Sequence, residues 1–335
     1  MGDETRDVKE KRQTPLTPLA KAAYKVFNNR IVESVIVAVL AVSFILAAVV
    51  DGILGTKAKR KLIDSLRSVS RDKLNALRKT QIKYVFRCKF GLSRIRIRLA
   101  GGSYWLSIPC IVEGRKDGAD VKYMAKIING MSAIKHRYMT MLRNLGIAAE
   151  AAEMRFDEYA DAKEMASFER YCLTRLKDEH VSAPAVMGMY RLNEDDYMLV
   201  TEFIEGRPLS EVPVDNDILD QIFFDIKTMH DHGFVHGDIK LDNFLVSGGK
   251  VFVFDCMKVG YSAIQPGKSF DTICALCAMC QKVPVARVIE HARKYFSKEE
   301  LQKAGRMLDV AVSKVDIELP DSIVREIRRA LDNPA

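Results

Sequence analysis

The sequence has no internal repeat, no charge between residues 34 and 50, and only two acidic residues between 57 and 98. The lack of a repeat excludes a solenoid or propeller. Seven cysteines, an odd number, sit in no short Cys-dense framework. That excludes a disulfide-stapled secreted domain and fits a reducing compartment. Cys274, Cys277 and Cys280 form a CxxCxxC run, yet no fourth Cys or His stands at ligand spacing nearby. They are expected to be small apolar positions of the helix that contains FDTICALCAMC. The opening residues, MGDETR, lack a Ser or Thr at the sixth position, which excludes the myristoylation pattern.

What is present is a chain of 335 residues, 48% hydrophobic, with room for one large domain or two lobes and a substantial core. The net charge of +8 is unevenly spread. Residues 57–98 hold fifteen Lys and Arg against two Asp, which leaves the remainder acidic overall. Basicity therefore belongs to one segment and not to the whole protein.

Residues 1–30 read as a polar tail with Thr-Pro pairs at Thr14 and Thr17. Residues 31–56 contain SVIVAVLAVSFILAAVV, seventeen residues without a charge, flanked by Arg30 and by KAKRK. With Gly52–Thr56 the run reaches the ~20 residues that cross a bilayer. It starts too far from the N-terminus for a cleaved signal peptide. A transmembrane helix is expected; the alternative is a buried core helix. Residues 57–90 resemble a basic juxtamembrane helix with Leu62, Leu66, Val69, Leu74 and Leu77 near helical spacing. Beside an apolar span, the basic stretch 57–98 is expected to meet anionic lipid and not nucleic acid. By the positive-inside rule the chain is a single-pass membrane protein with its C-terminal domain in the cytoplasm, although seven basic residues in the tail pull the other way.

From residue 91 the pattern changes. SRIRIRL, YWLSIPCIVEG and VKYMAKII read as strands, with turns at AGGS and RKDGAD. A mainly helical stretch follows over 130–180, then the strand YMLVTEFIEG, a helix over 216–232, and helices to the end. Between them stands VHGDIKLDNFLVSGGKVFVFD. Its Gly-Gly pair predicts a hairpin. A hairpin brings its ends together, so Asn243 and Asp255 should face each other. An amide oxygen and a carboxylate at one point suit Mg²⁺. Asp238, on the loop before the hairpin, could accept a proton from a hydroxyl.

HGDIKLDN resembles the catalytic loop of protein kinases, with Gly237 where Arg is usual. FDCMK resembles the metal-binding Asp motif, with Cys256 and Met257 in place of Phe and Gly. YMAKI resembles the third-strand Lys motif. The resemblance covers about residues 91–280 and is nearest to compact kinases, the RIO group and bacterial lipopolysaccharide-core sugar kinases. It implies an α+β fold of two lobes within 91–335: a small, mainly β N-lobe (91–201) and a helical C-lobe (205–335), preceded here by the transmembrane helix. It also implies ATP and Mg²⁺ as cofactors. Asp238 would be the catalytic base and Lys240 would touch the γ-phosphate, while Asn243 and Asp255 hold Mg²⁺ and Lys126 grips the α- and β-phosphates. His236 would support the loop and Asp271 would anchor it. The main chain from Glu202 to Ile204 would meet adenine, with Met124 and Leu245 packing on its faces.

Lys126 needs a carboxylate partner. On AKEMASFERYCLTRL, Met165, Phe168, Cys172, Leu173 and Leu176 mark one helical face. Glu169 falls near the middle of that face and Glu164 at its edge, so Glu169 is the expected partner. LAGGSYW occupies the place of a phosphate-cradling turn without matching GxGxxG. No APE motif lies between Asp255 and Asp271. The resemblance implies a kinase acting on a hydroxyl of a protein Ser/Thr or a glycolipid sugar. The rival is a pseudokinase that serves as a membrane-tethered binding module.

Overall fold

Asn75 decides where the first described helix begins. The computed structural model describes residues 74–100, 106–149, 154–314 and 316–332, with isolated helical positions at 39, 42–43, 46–47 and 50. Helix α1 (Ala76–Phe90) starts where the extended Asn75 accepts the Arg78 amide on its side chain at 2.8 Å. It ends at Gly91 in the left-handed region, whose N–H returns to the Phe86 carbonyl. Of the basic helix expected over 57–90, residues 76–90 are helical as α1, and residues 57–73 lie outside the described ones. Its leucine pattern does not define the buried side. Leu77 is 47% exposed, whereas Ile82 and Phe86 are fully buried. Burying each of those two contributes about 1.5–3 kcal/mol. Arg78 clamps Asp196 through Nε and Nη2 at 2.8 and 3.2 Å, so α1 is bound into the N-lobe.

The expected transmembrane span at 31–56 also lies outside the described residues, apart from the isolated positions. Among the described residues, no helix is long and apolar enough to cross a membrane.

Five antiparallel strands follow in the spatial order β1-β2-β3-β5-β4. They are β1 (Ser93–Leu99), β2 (Ile108–Lys116), β3 (Ala119–Ile128), β4 (Val186–Arg191) and β5 (Tyr197–Glu202). The β2–β3 turn uses Asp117 and Gly118, both at positive φ. Strand β4, VMGMYR, was not expected. A central glycine and two methionines carry little of the β-branched signal by which strands are read. The sheet places Lys126 near the C-terminal end of β3, paired with Pro109 on one side and Leu199 on the other.

The helical stretch expected over 130–180 divides. Helix α2 (Gly130–Ala149) and helix α3 (Ala162–Asp178) are separated by an extended segment in which Phe156 bridges Val259. Beyond β5 come the two-residue strand β6 (Arg207–Pro208) and helix α4 (Asn216–Asp231), capped by Asp215. On α4, Ile218, Leu219, Ile222, Phe223, Ile226 and Met229 form the buried face at helical spacing. Strands β7 (Phe244–Ser247) and β8 (Lys250–Val253) form the expected hairpin. Gly248 and Gly249 both have positive φ, the requirement of a two-residue hairpin turn.

Helix α5 (Ile264–Cys280) is buried along most of its length and apolar on all sides over 273–280. Cys274 and Cys277 are fully buried in it and Cys280 is nearly so. Helices α6 (Val285–Ala292), α7 (Lys298–Gly305), α8 (Leu308–Val312) and α9 (Asp321–Asp332) complete the C-terminal region. The architecture is α+β, with an N-terminal sheet and a helical C-terminal region.

Candidate active site

The two ends of the β7–β8 hairpin meet beneath the edge of the sheet. The Phe254 amide donates to the Asn243 carbonyl at 3.3 Å, which places Asp255 one residue beyond Asn243's partner. Asp255 has φ 63, a left-handed backbone that non-glycine residues seldom adopt. That conformation presents its carboxylate to Lys126, whose Nζ contacts Asp255 Oδ1 and Glu169 Oε1, the latter at 2.8 Å. Burial alone would lower the Lys126 pKa; Asp255 and then Glu169 outweigh it and hold the ammonium charged. Burial raises the Glu169 carboxyl against the pull of Lys126. The choice between the two glutamates is thereby decided geometrically. Glu164 instead accepts the Ala160 amide at 2.6 Å and pairs with Lys258 at 2.8 Å.

Asp238 occupies a more crowded position. It is 6% exposed, and both carboxylate oxygens have partners. Lys240 Nζ lies 3.2 Å from Oδ2, and Asn243 Nδ2 lies 3.3 Å from the same atom. Lys314 Nζ lies 3.2 Å from Oδ1 and Arg143 Nη2 3.6 Å from it. Burial resists ionisation here, but Lys240, Lys314 and Arg143 together hold the carboxyl well below the usual range. The Asn243 amide nitrogen also donates to the Asp238 carbonyl at 2.8 Å. With its nitrogen fixed there, Asn243 has its side-chain oxygen as the group left for a cation. That oxygen and the Asp255 carboxylate, 41% exposed, are hard donors of the kind Mg²⁺ takes.

The loop itself is anchored as the resemblance implies. Asp271, fully buried on α5, accepts the His236 amide at 2.6 Å and the Gly237 amide at 2.8 Å. The Asp238 amide donates to His236 Nδ1 at 3.2 Å, so the ring proton sits on Nε2 and donates to the Phe254 carbonyl at 3.0 Å. His236 thus ties the Asp238 loop to the segment that runs from β8 into Asp255.

Gly237 explains why Arg does not stand there. It has φ 79, and a Cβ on it would lie 3.0 Å from the Met257 Cβ and 3.1 Å from Val259 Cγ2. Gly237→Ala is expected to cost about 1–3 kcal/mol, the scale of a strained backbone, in chemical denaturation. A loss below about 0.5 kcal/mol would show that the loop relaxes without strain.

The residues expected to meet adenine lie on β3, at the end of β5 and on β7. Met124 is half-buried opposite Thr201, and Leu245 is half-buried opposite Phe252 and beside Pro208. The Glu202 amide is already donated to the Ala185 carbonyl at 2.9 Å. The Glu202 carbonyl accepts the Thr201 hydroxyl at 3.2 Å. LAGGSYW, the candidate phosphate turn, lies largely outside the described residues.

Sequence reading missed Arg143 and Lys314. Arg143 stands on α2, far upstream of the loop, and Lys314 follows α8, 76 residues beyond Asp238. A lone Lys or Arg in a helical stretch carries no signal of the carboxylate it will meet.

The family model described as "Lipopolysaccharide core biosynthesis protein (WaaY)" matches residues 187–275. That span runs from β4 through the Asp238 loop and the hairpin to Asp271. The lipopolysaccharide core heptose(II) kinase WaaY of Escherichia coli (strain K12) is 33% identical over 60 residues, 18% of this chain and 26% of that protein. The serine/threonine-protein kinase max-2 of Caenorhabditis elegans is 33% identical over 94 residues, 25% of this chain and 14% of that protein. The chain thus spans about a quarter or less of the length of these relatives. A solved structure assigned as a fructosamine-3-kinase from Haemophilus somnus 129PT covers 76% of this chain and 96% of that one, at 10% identity and a TM-score of 0.43. By its sequence matches the chain is similar, over residues 187–275, to the lipopolysaccharide-core kinases, and in part to a protein kinase.

Proposed function

We propose that the protein is a membrane-anchored, ATP- and Mg²⁺-dependent kinase that phosphorylates a hydroxyl group. The observation that carries this reading is the convergence of Lys126, Glu169 and Asp255 beside Asp238, Lys240 and Asn243. In the transfer, the acceptor oxygen bonds to the γ-phosphorus and the bond from that phosphorus to the bridging oxygen of ADP breaks. The acceptor's proton passes to Asp238. With so low a pKa, Asp238 contributes mainly by orienting the hydroxyl and not by basicity. Lys126 and Lys240 would neutralise the phosphate oxygens. Asn243 and Asp255 would hold Mg²⁺, which when bound supplies further charge neutralisation.

The acceptor is a glycolipid sugar or a protein Ser/Thr. Similarity to a lipopolysaccharide core heptose kinase favours the sugar. Cys256 and Met257 beside Asp255 are the features that favour the rival, a nucleotide-binding module without turnover. Assaying ATP turnover together with the shift in melting temperature on adding Mg-ATP separates the two. Stabilisation with turnover supports the kinase; stabilisation with none supports the rival.

Membrane anchoring rests on the uncharged run at 34–50 and on the exposure of Val39, Val42 and Leu46, each more than half exposed. The kinase domain would then lie on the cytoplasmic side. Charge on the described N-lobe continues the basic stretch. Lys79, Arg87, Lys89, Arg94 and Arg96 are exposed on α1 and β1, neither of which contains an acid. Each cation near an anionic membrane contributes about 1 kcal/mol, an attraction that salt screens. Protein lacking residues 1–56 should therefore float with anionic vesicles at low salt and come off at high salt. Full-length protein should resist both high salt and carbonate. If full-length protein is soluble without detergent, the run is a buried helix. If the truncated form ignores vesicles and binds nucleic acid, the lipid reading fails.

A further inference from the structure

The segment just after Asp255 takes much of its support from an element outside the C-terminal region. Phe156 bridges Val259, the Asp157 amide donates to the Lys258 carbonyl at 2.9 Å, and the Gly260 amide donates to the Arg155 carbonyl at 3.2 Å. This short antiparallel pairing is itself held by α2. Asn144 grips the Phe156 backbone on both sides, donating from Nδ2 to its carbonyl and accepting its amide on Oδ1, each at 2.9 Å. The neighbouring Arg143 reaches further in. One guanidinium lies 3.6 Å from Asp238 Oδ1, 3.3 Å from Met257 Sδ and 5.8 Å from the centre of the Phe156 ring.

We propose that Arg143 and Asn144 are positioning residues of the phosphotransfer site, an inference that rests on the kinase reading. Asn144 sets the register of 155–157 against 258–260. Arg143 holds the Asp238 carboxylate in the same frame as Met257, two residues beyond Asp255. The helix inserted between β3 and α3 thereby ties the loop bearing Asp238 to the segment bearing Asp255. Lys314 contacts the same oxygen at 3.2 Å and donates to the Ile239 carbonyl at 3.1 Å. A misplacement of about 1 Å at such a site can cost ~10²-fold in rate.

The split between kcat and KM gives this role a signature that a purely structural strut lacks. The probe is Mg-ATP hydrolysis by full-length protein in detergent, with water as acceptor. Arg143→Met is expected to lower kcat about 10- to 100-fold with the KM for ATP within about two-fold. Arg143→Lys, which keeps a cation beside Asp238, should recover part of kcat. Asn144→Ala should lower kcat and speed hydrogen exchange at the Asp157 and Gly260 amides. Turnover that depends on Asp238 but is unchanged in Arg143→Met and Asn144→Ala overturns this proposal alone. An equal loss in Arg143→Met and Arg143→Lys also overturns it. Parental protein and Asp238→Ala hydrolysing ATP alike would sink the kinase reading and this inference with it.

Discussion

Asp255→Asn is expected to remove Mg²⁺-dependent ATP binding while leaving the fold in place. The carboxylate is one of the two hard-oxygen donors at the hairpin mouth and the closest contact of Lys126. Replacing it removes a ligand charge but no core volume. Asn is also among the few residues that tolerate the left-handed backbone found there. Melting should shift by no more than about 2–4 °C, the change that 1 kcal/mol produces in a domain of this size. Affinity for Mg-ATP should fall at least about 100-fold, or roughly 2.8 kcal/mol. Titration calorimetry with and without Mg²⁺ measures it. Parental affinity in Asp255→Asn would show that the metal assignment is wrong.

Asp238→Ala should act on the other half of the site. ATP affinity is expected to stay nearly constant while turnover falls by ~10²-fold or more, the cost of losing the group that orients the acceptor hydroxyl. The variant also leaves Lys240, Lys314 and Arg143 without their shared carboxylate in a buried place. Some loss of stability should accompany it, since an uncompensated buried charge is costly. Asp238→Asn keeps the volume and the hydrogen-bonding oxygen, so its turnover separates the two effects. Full turnover in Asp238→Asn would assign the proton to another group.

Much of this site was legible in the sequence because its parts are local. The Asp238 loop, the Gly-Gly hairpin and Asp255 lie within twenty residues, so turn chemistry alone brings Asn243 and Asp255 together. Glu169 was readable because a carboxylate on a buried helical face requires a cation, and Lys126 was the one in need of a partner. Arg143 and Lys314 were not readable, because their meeting with Asp238 is made by tertiary packing across long separations. The α1 boundary was not readable for a related reason. Leucine spacing through 57–77 does not reveal that α1 starts at the Asn75 cap, nor that its buried side is set by Ile82 and Phe86.

Transfer of the γ-phosphate is the decisive observation. Full-length protein in detergent would be incubated with γ-labelled Mg-ATP and, separately, with a membrane glycolipid fraction and a protein fraction. The predicted result is Mg²⁺-dependent labelling of one fraction that disappears in Asp238→Ala, with the label on a hydroxyl as a phosphate monoester. Binding of Mg-ATP with no labelling of either fraction and no ATP turnover would contradict it and leave a nucleotide-binding module in its place.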